Sequence, residues 1–162
     1  MPKIQQRDFF FGAALSMFFK HNQDAKPSLI DTKDNKSQLF RMATDTSEDF
    51  YIYMKYTCNE LERKRENSHA WQFTFTKNDI EIIERCAQEK ALVYIFLICG
   101  NIEAFSGEIA IIKKEEYDTI INERSTFIVK TKGERPKNFI IKIDNTLLTI
   151  KRNRIEKKIT EI

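Results

Sequence analysis

The sequence predicts a single α+β domain with a mixed, mainly antiparallel central sheet flanked by helices. Three observations predict it. An amphipathic stretch at the start is followed by three consecutive strand-like runs joined by polar turns. Asp49–Thr57 alternates aromatic and β-branched residues with period two. No internal repeat or low-complexity linker divides the chain, and 162 residues suit one domain.

The elements follow in order. Gln5–Lys20 predicts a helix, with Phe10, Ala13, Ala14, Met17 and Phe18 on one stripe. Phe9, Phe11, Leu15 and Phe19 widen that stripe, so the helix is expected to be buried on two sides or to meet a partner. Pro27 marks its end. Ser28–Thr32 and Ser37–Ala43 predict strands around the polar turn Lys33–Lys36. In Asp49–Thr57, the residues Phe50, Ile52, Met54 and Tyr56 share an apolar face; Asp49, Tyr51, Tyr53 and Lys55 share the other.

Cys58–Ala70 is a charged connector, and Trp71–Phe75 alternates as a strand. Thr76 and Asp79 have capping-box spacing, predicting a helix to about Lys90 that buries Ile80, Ile83 and Ala87. Ala91–Cys99 is the most apolar run and predicts a strand buried on both faces. Gly100–Asn101 predicts a turn, with Ile102–Ile112 returning beside it. A short helix over Glu115–Asn122 precedes strands at Phe127–Thr131, Asn138–Ile143 and Thr146–Lys151. The domain is expected over residues 1–151, with 152–162 a basic tail.

Composition narrows the function classes. An apolar share of 41% and a charged share of 31% describe a globular chain, and thirteen phenylalanines predict an aromatic core. Cys58, Cys86 and Cys99 are odd in number and lack CxxC spacing, which predicts reduced thiols and a cytoplasmic setting. No run is long enough for a membrane span. With four glycines and two histidines, neither a phosphate-binding glycine loop nor a zinc pattern is present. Charge is uneven: from Lys130 onward ten Lys or Arg face four Asp or Glu. A basic region of this kind can steer a polyanion.

The order of helix, hairpin, strand ending in Lys55, connector, aromatic strand, helix and buried strand resembles the PD-(D/E)xK nuclease superfamily. The resemblance runs over Phe9–Ile112 and rests on DFYIYMKYT, WQFTFTKNDIEIIE and ALVYIFLICGN. It is a likeness of element order rather than of a signature. That superfamily includes restriction endonucleases and small phage and defence nucleases.

The resemblance implies a restriction-endonuclease-like fold and Mg²⁺-dependent phosphodiester hydrolysis, with Lys55 polarising the attacking water. Its acids are expected at Asp45 and Asp49, with Glu48 and Asp31 as substitutes and Glu60 as a displaced metal ligand. Tyr53 stands where the family has an acid two residues before the lysine. A scaffold that binds nucleic acid without cutting it is therefore also expected.

Arg63, Lys64, Arg65, Lys151, Arg152 and Arg154 are expected phosphate contacts, with Tyr56 and Trp71 as stacking platforms. The alternative is a non-enzymatic interaction protein or oligomer, docking through Phe9, Phe11 and Phe19.

Overall fold

The computed structural model describes residues 2–30, 36–58, 60–61, 67–123, 125–143 and 145–162. Three helices are described: α1 (Gln6–His21), α2 (Lys77–Gln88) and α3 (Lys114–Glu123). In chain order the strands are β1 (Lys26–Ile30), β2 (Ser37–Ala43), β3 (Phe50–Thr57), β4 (Ser68–Thr74), β5 (Leu92–Asn101), β6 (Ser106–Lys113), β7 (Thr126–Lys132), β8 (Asn138–Ile143) and β9 (Thr146–Lys151).

The α+β class holds, but the strands form two sheets rather than one central sheet. The five-stranded sheet runs β1-β2-β3-β5-β6, and the four-stranded sheet runs β4-β7-β8-β9. β3 and β5 are parallel; the other strand pairs in both sheets are antiparallel. A parallel pair needs a crossover, and β4 and α2 lie within it. The crossover thus hands β4 to the second sheet, which a linear reading of alternation has no means of detecting.

Around its central strands β3 and β5 the five-stranded sheet is buried on both faces, while the edge strand β1 is exposed at every position. On one side Phe40, Met42, Phe50, Ile52, Met54, Phe96 and Ile111 pack against Phe11, Ala14 and Phe18 of α1. On the other, Leu39, Tyr51, Tyr53, Val93, Ile95 and Leu97 meet α2, α3 and the inner face of the four-stranded sheet. The expectation of a polar site face on β3 is corrected here: Tyr51, Tyr53 and Lys55 are all buried. Phenyl and phenol rings supply the large apolar areas that make such a double-sided core stable.

Local signals set the helix starts. Gln5 and Asp8 form a capping box at α1, the Gln5 N–H donating to Asp8 Oδ2 at 2.7 Å. α1 buries Phe11, Ala14 and Phe18 and leaves its opposite face outward.

Two further expectations change. Gly100 and Asn101 continue β5, and the turn falls at 102–105, where Phe105 takes φ 47°. At Gly100 a Cβ would press on the Phe10 ring at 2.5 Å, so glycine here answers close packing rather than a turn. Residues 152–162, expected as a basic tail, pack against the body of the protein. They form two short 3-10 turns whose Ile155 and Ile159 are buried against the α1 side of the sheet.

Candidate functional site

Lys55 lies inside the molecule, and its partner comes from α2. Its Nζ donates to Asp79 Oδ2 at 2.5 Å; Lys55 is 5% exposed and Asp79 0%. β3 brings the lysine to the end of the strand nearest the start of α2, where Asp79 is the third helical residue. Asp79 is also the acid of the predicted capping box. It accepts from the Thr76 N–H at 2.7 Å and the Thr76 hydroxyl at 3.0 Å, while its own N–H donates to Thr76 Oγ1 at 3.2 Å.

The other carboxylate oxygen accepts from the Tyr53 hydroxyl and, at 3.4 Å, from Ser37. The ammonium also lies 5.4 Å from the Phe75 ring centroid. Burial by itself pushes the Asp79 carboxyl up. Hydrogen bonds from Lys55, Tyr53 and the Thr76 N–H, with the Lys55 charge, outweigh burial and hold it below the usual carboxylate range.

This arrangement is a polar node that ties β2, β3 and the α2 N-terminus together. Such a node carries its charge safely because each oxygen is saturated with donors.

The expected metal ligands do not converge on it. Asp49 lies just before β3, six residues from Lys55, or about 20 Å along an extended strand. Its carboxylate pairs with Arg41 at 3.0 Å. Asp45 is exposed and lies 3.9 Å from Lys26. Glu60 pairs with His69 Nδ1, and His69 stacks on Trp71. Among the described residues no group of three or more His, Cys, Asp or Glu is placed to hold a metal. Mg²⁺ wants several oxygen ligands and retained waters; Asp79, sealed and donor-saturated, does not offer that. The described residues around Lys55 therefore do not fit the expected ion.

The expected nucleic-acid contacts divide. Arg63, Lys64 and Arg65 lie outside the described residues, as does Asp31, a substitute acid of the expected metal site. Trp71 is buried and donates from Nε1 to the Gly100 carbonyl at 3.0 Å, so it is a core residue and not a stacking platform. Tyr56 stacks on Phe10. Arg152 donates to Glu108 and, at 2.5 Å, to the Pro136 carbonyl. Arg154 donates to Glu116 at 2.6 and 3.1 Å and to the Ile111 carbonyl at 2.9 Å. These two guanidinium groups fasten the C-terminal turns to the body. Lys151 is exposed.

Of the expected docking residues, Phe9 is 62% exposed, Phe11 is buried and Phe19 is partly buried against the core. Among the described residues no helix is long and apolar enough to cross a membrane.

A different constellation emerges on the four-stranded sheet. Phe127, Val129, Thr131, Phe139, Ile141, Ile143 and Ile150 point inward and are buried. By period two, the outward face carries Lys130 and Lys132 on β7, Asn138, Ile140 and Lys142 on β8, and Leu147, Thr149 and Lys151 on β9. β4 adds Ser68, Gln72 and Thr74, with Ala70 buried. Register places Ile140 between Lys130 and Thr149, Lys142 beside Leu147, and Asn138 beside Lys151. Four lysines and no described carboxylate occupy this face.

Lys132 and Lys142 were legible in the sequence, because each alternates with the inward apolar residues of its strand. What the sequence lacked was their placement on one shared surface, where both are exposed.

Comparison with protein-family models, curated proteins and solved structures finds no match to this chain.

Proposed function

We propose that this protein binds nucleic acid, using the outward face of the four-stranded sheet. The observation that carries this reading is the uniform sign of that face: Lys132, Lys142 and Lys151 are exposed on it, and no described carboxylate shares it. Lysine ammonium groups displace counterions from a phosphate backbone, which supplies affinity with little sequence preference. The intervening Ile140, Leu147 and Thr149 give a gently apolar ground between the charges. A nuclease-like descent fits the element order from α1 to β6. In that frame the Lys55 position serves as an internal ion pair, and the scaffold binds without cutting.

Fluorescence anisotropy with labelled single- and double-stranded oligonucleotides over a salt series tests this. Binding is expected to weaken as salt rises, with a log–log slope of about −0.7 to −0.9 per phosphate contact. Lys132→Glu/Lys142→Glu is expected to weaken it at least about tenfold, a loss of about 1.4 kcal/mol. Binding that ignores salt, or that survives the double reversal with the fold intact, overturns the reading. Incubation of the same oligonucleotides with Mg²⁺ or Mn²⁺ separates binding from cleavage.

A second reading has its own observation. From Phe9 to Phe19, α1 carries no charge, and its outer side presents Phe9, Ala13 and Met17 to solvent. That face suits a protein partner. A strictly monomeric sedimentation profile that is unchanged by Phe9→Ser counts against self-association through it.

A further inference from the structure

The register of the four-stranded sheet fixes where its outward lysines stand relative to one another. Asn138 is registered against Lys151, and Ile140 against both Lys130 and Thr149. Continuing the β7–β8 register by two residues puts Lys132 at the level of Asn138. Lys132 and Lys151 thus flank Asn138 in one row across β7, β8 and β9. Two strand spacings separate them, about 10 Å. Lys142 stands beside Leu147, four residues beyond Asn138 along β8 and so about 13 Å from that row. Lys132, Lys142 and Lys151 are exposed, whereas Lys130, between the rows, is half-buried.

The three exposed cations therefore mark the corners of a triangle rather than a line. A single strand is tracked by cations set along one path, with aromatic side chains on which its bases stack. The outward positions of β4, β7, β8 and β9 hold Ser, Ala, Gln, Thr, Ile, Lys, Asn and Leu, and none of them is aromatic. A duplex instead offers two phosphate backbones, which in the B form face each other across grooves about 6 and about 12 Å wide. The wider groove matches the spacing between Lys142 and the Lys132–Lys151 row, and the flexible lysine stems take up small differences.

We propose that this face straddles one groove of a nucleic-acid duplex. Lys132 and Lys151 contact one backbone, and Lys142 contacts the facing one. Asn138, between the first two, adds a hydrogen bond to the same backbone. This assignment rests on the nucleic-acid reading above; it adds that the ligand is double-stranded and that different lysines hold its two strands. All three lysines lie beyond Phe9–Ile112, so the assignment takes nothing from the nuclease resemblance.

Fluorescence anisotropy at fixed salt, comparing a blunt-ended duplex with each of its separated strands, tests it. The duplex is expected to bind at least about fivefold more tightly, with the steeper salt slope. Lys142→Gln is expected to weaken duplex binding by about fivefold or more and single-strand binding by less than about twofold, because a single strand keeps the Lys132–Lys151 row. Lys132→Gln and Lys151→Gln are each expected to weaken both. Lys20→Gln removes the same charge from the exposed side of α1, across the five-stranded sheet, and is expected to change neither by more than about twofold. Circular dichroism confirms that each variant is folded.

Single strands that bind as tightly as the duplex, while Lys132→Glu/Lys142→Glu still weakens them, overturn the duplex assignment and leave the nucleic-acid reading standing. Duplex binding in which Lys142→Gln behaves like Lys20→Gln overturns the straddled groove. Absence of salt-dependent binding to either form overturns both. DNA and RNA duplexes assayed side by side identify which one the face takes, and preference for either over its own single strands supports the assignment.

Discussion

The five-stranded sheet is covered on both faces around β3 and β5, whereas among the described residues the four-stranded sheet is covered mainly on one, and each accommodates its lysines accordingly. Lys55 belongs to the first sheet and is neutralised by Asp79 within the core. Lys132, Lys142 and Lys151 belong to the second and stand in solvent. A buried cation must be paired, because its desolvation costs several kcal/mol. An exposed one keeps its hydration and its long-range field. The difference shows that a lysine's place in a strand pattern says little about its task. What covers the strand decides whether the charge is a fastening or a contact.

The sharpest way to break this contrast is to empty the node. Asp79→Ala removes at once the carboxylate that Lys55 and Tyr53 bond and the acid of the α2 cap. Removing one partner of a buried ion pair costs about 3–5 kcal/mol, and urea unfolding should report a loss of that size. Lys55→Met with Asp79→Asn removes both charges and should cost clearly less than Asp79→Ala alone. Equal losses would mean that the pair is not the unit.

Acid should act on the same node. The Asp79 carboxyl is held below its unfolded value of about 3.9. Its stabilising contribution is therefore complete above that value and lost as pH falls through the lower folded one. Stability measured by denaturant at successive pH values should decline below about pH 4. Asp79→Asn should flatten part of that decline.

Smaller effects test the inner face of the four-stranded sheet. Thr131 is fully buried, and its hydroxyl has no hydrogen-bond partner among the described residues. Thr131→Val keeps the shape and removes the orphaned group, so it should stabilise by about 1 kcal/mol. A loss of stability would point to an undetected partner for that hydroxyl.

Smallest of all should be Lys142→Glu on the open face, within about 0.5 kcal/mol of wild type. If this exposed lysine proved as costly to replace as Asp79, the comparison between the two sheets would fail.

Much of the architecture was legible along the chain. Phe50, Ile52 and Met54 announced a core face on β3, and Thr76 with Asp79 announced the start of α2. The apolar run Ala91–Cys99 announced a central strand. β8 and β9 were bounded by their own turns. These are local effects: side-chain direction alternates along a strand, and caps satisfy helix-end N–H groups within three or four residues.

Other features were not legible. Asp79 read as a cap and nothing more, since its partners Lys55, Tyr53 and Ser37 lie 24, 26 and 42 residues away. Arg152 and Arg154 read as phosphate contacts until Glu108 and Glu116 were found against them.

The sequence alone determined the α+β class, the order of elements and which residues of each strand could share a face. Tertiary structure alone decided that the strands split into two sheets, that Lys55 is sealed with Asp79, and that the outward lysines of β7, β8 and β9 share one open surface. The physical reason is range. Alternation and capping are set by neighbours in the chain, whereas burial and ion pairing depend on which distant element arrives to exclude the water.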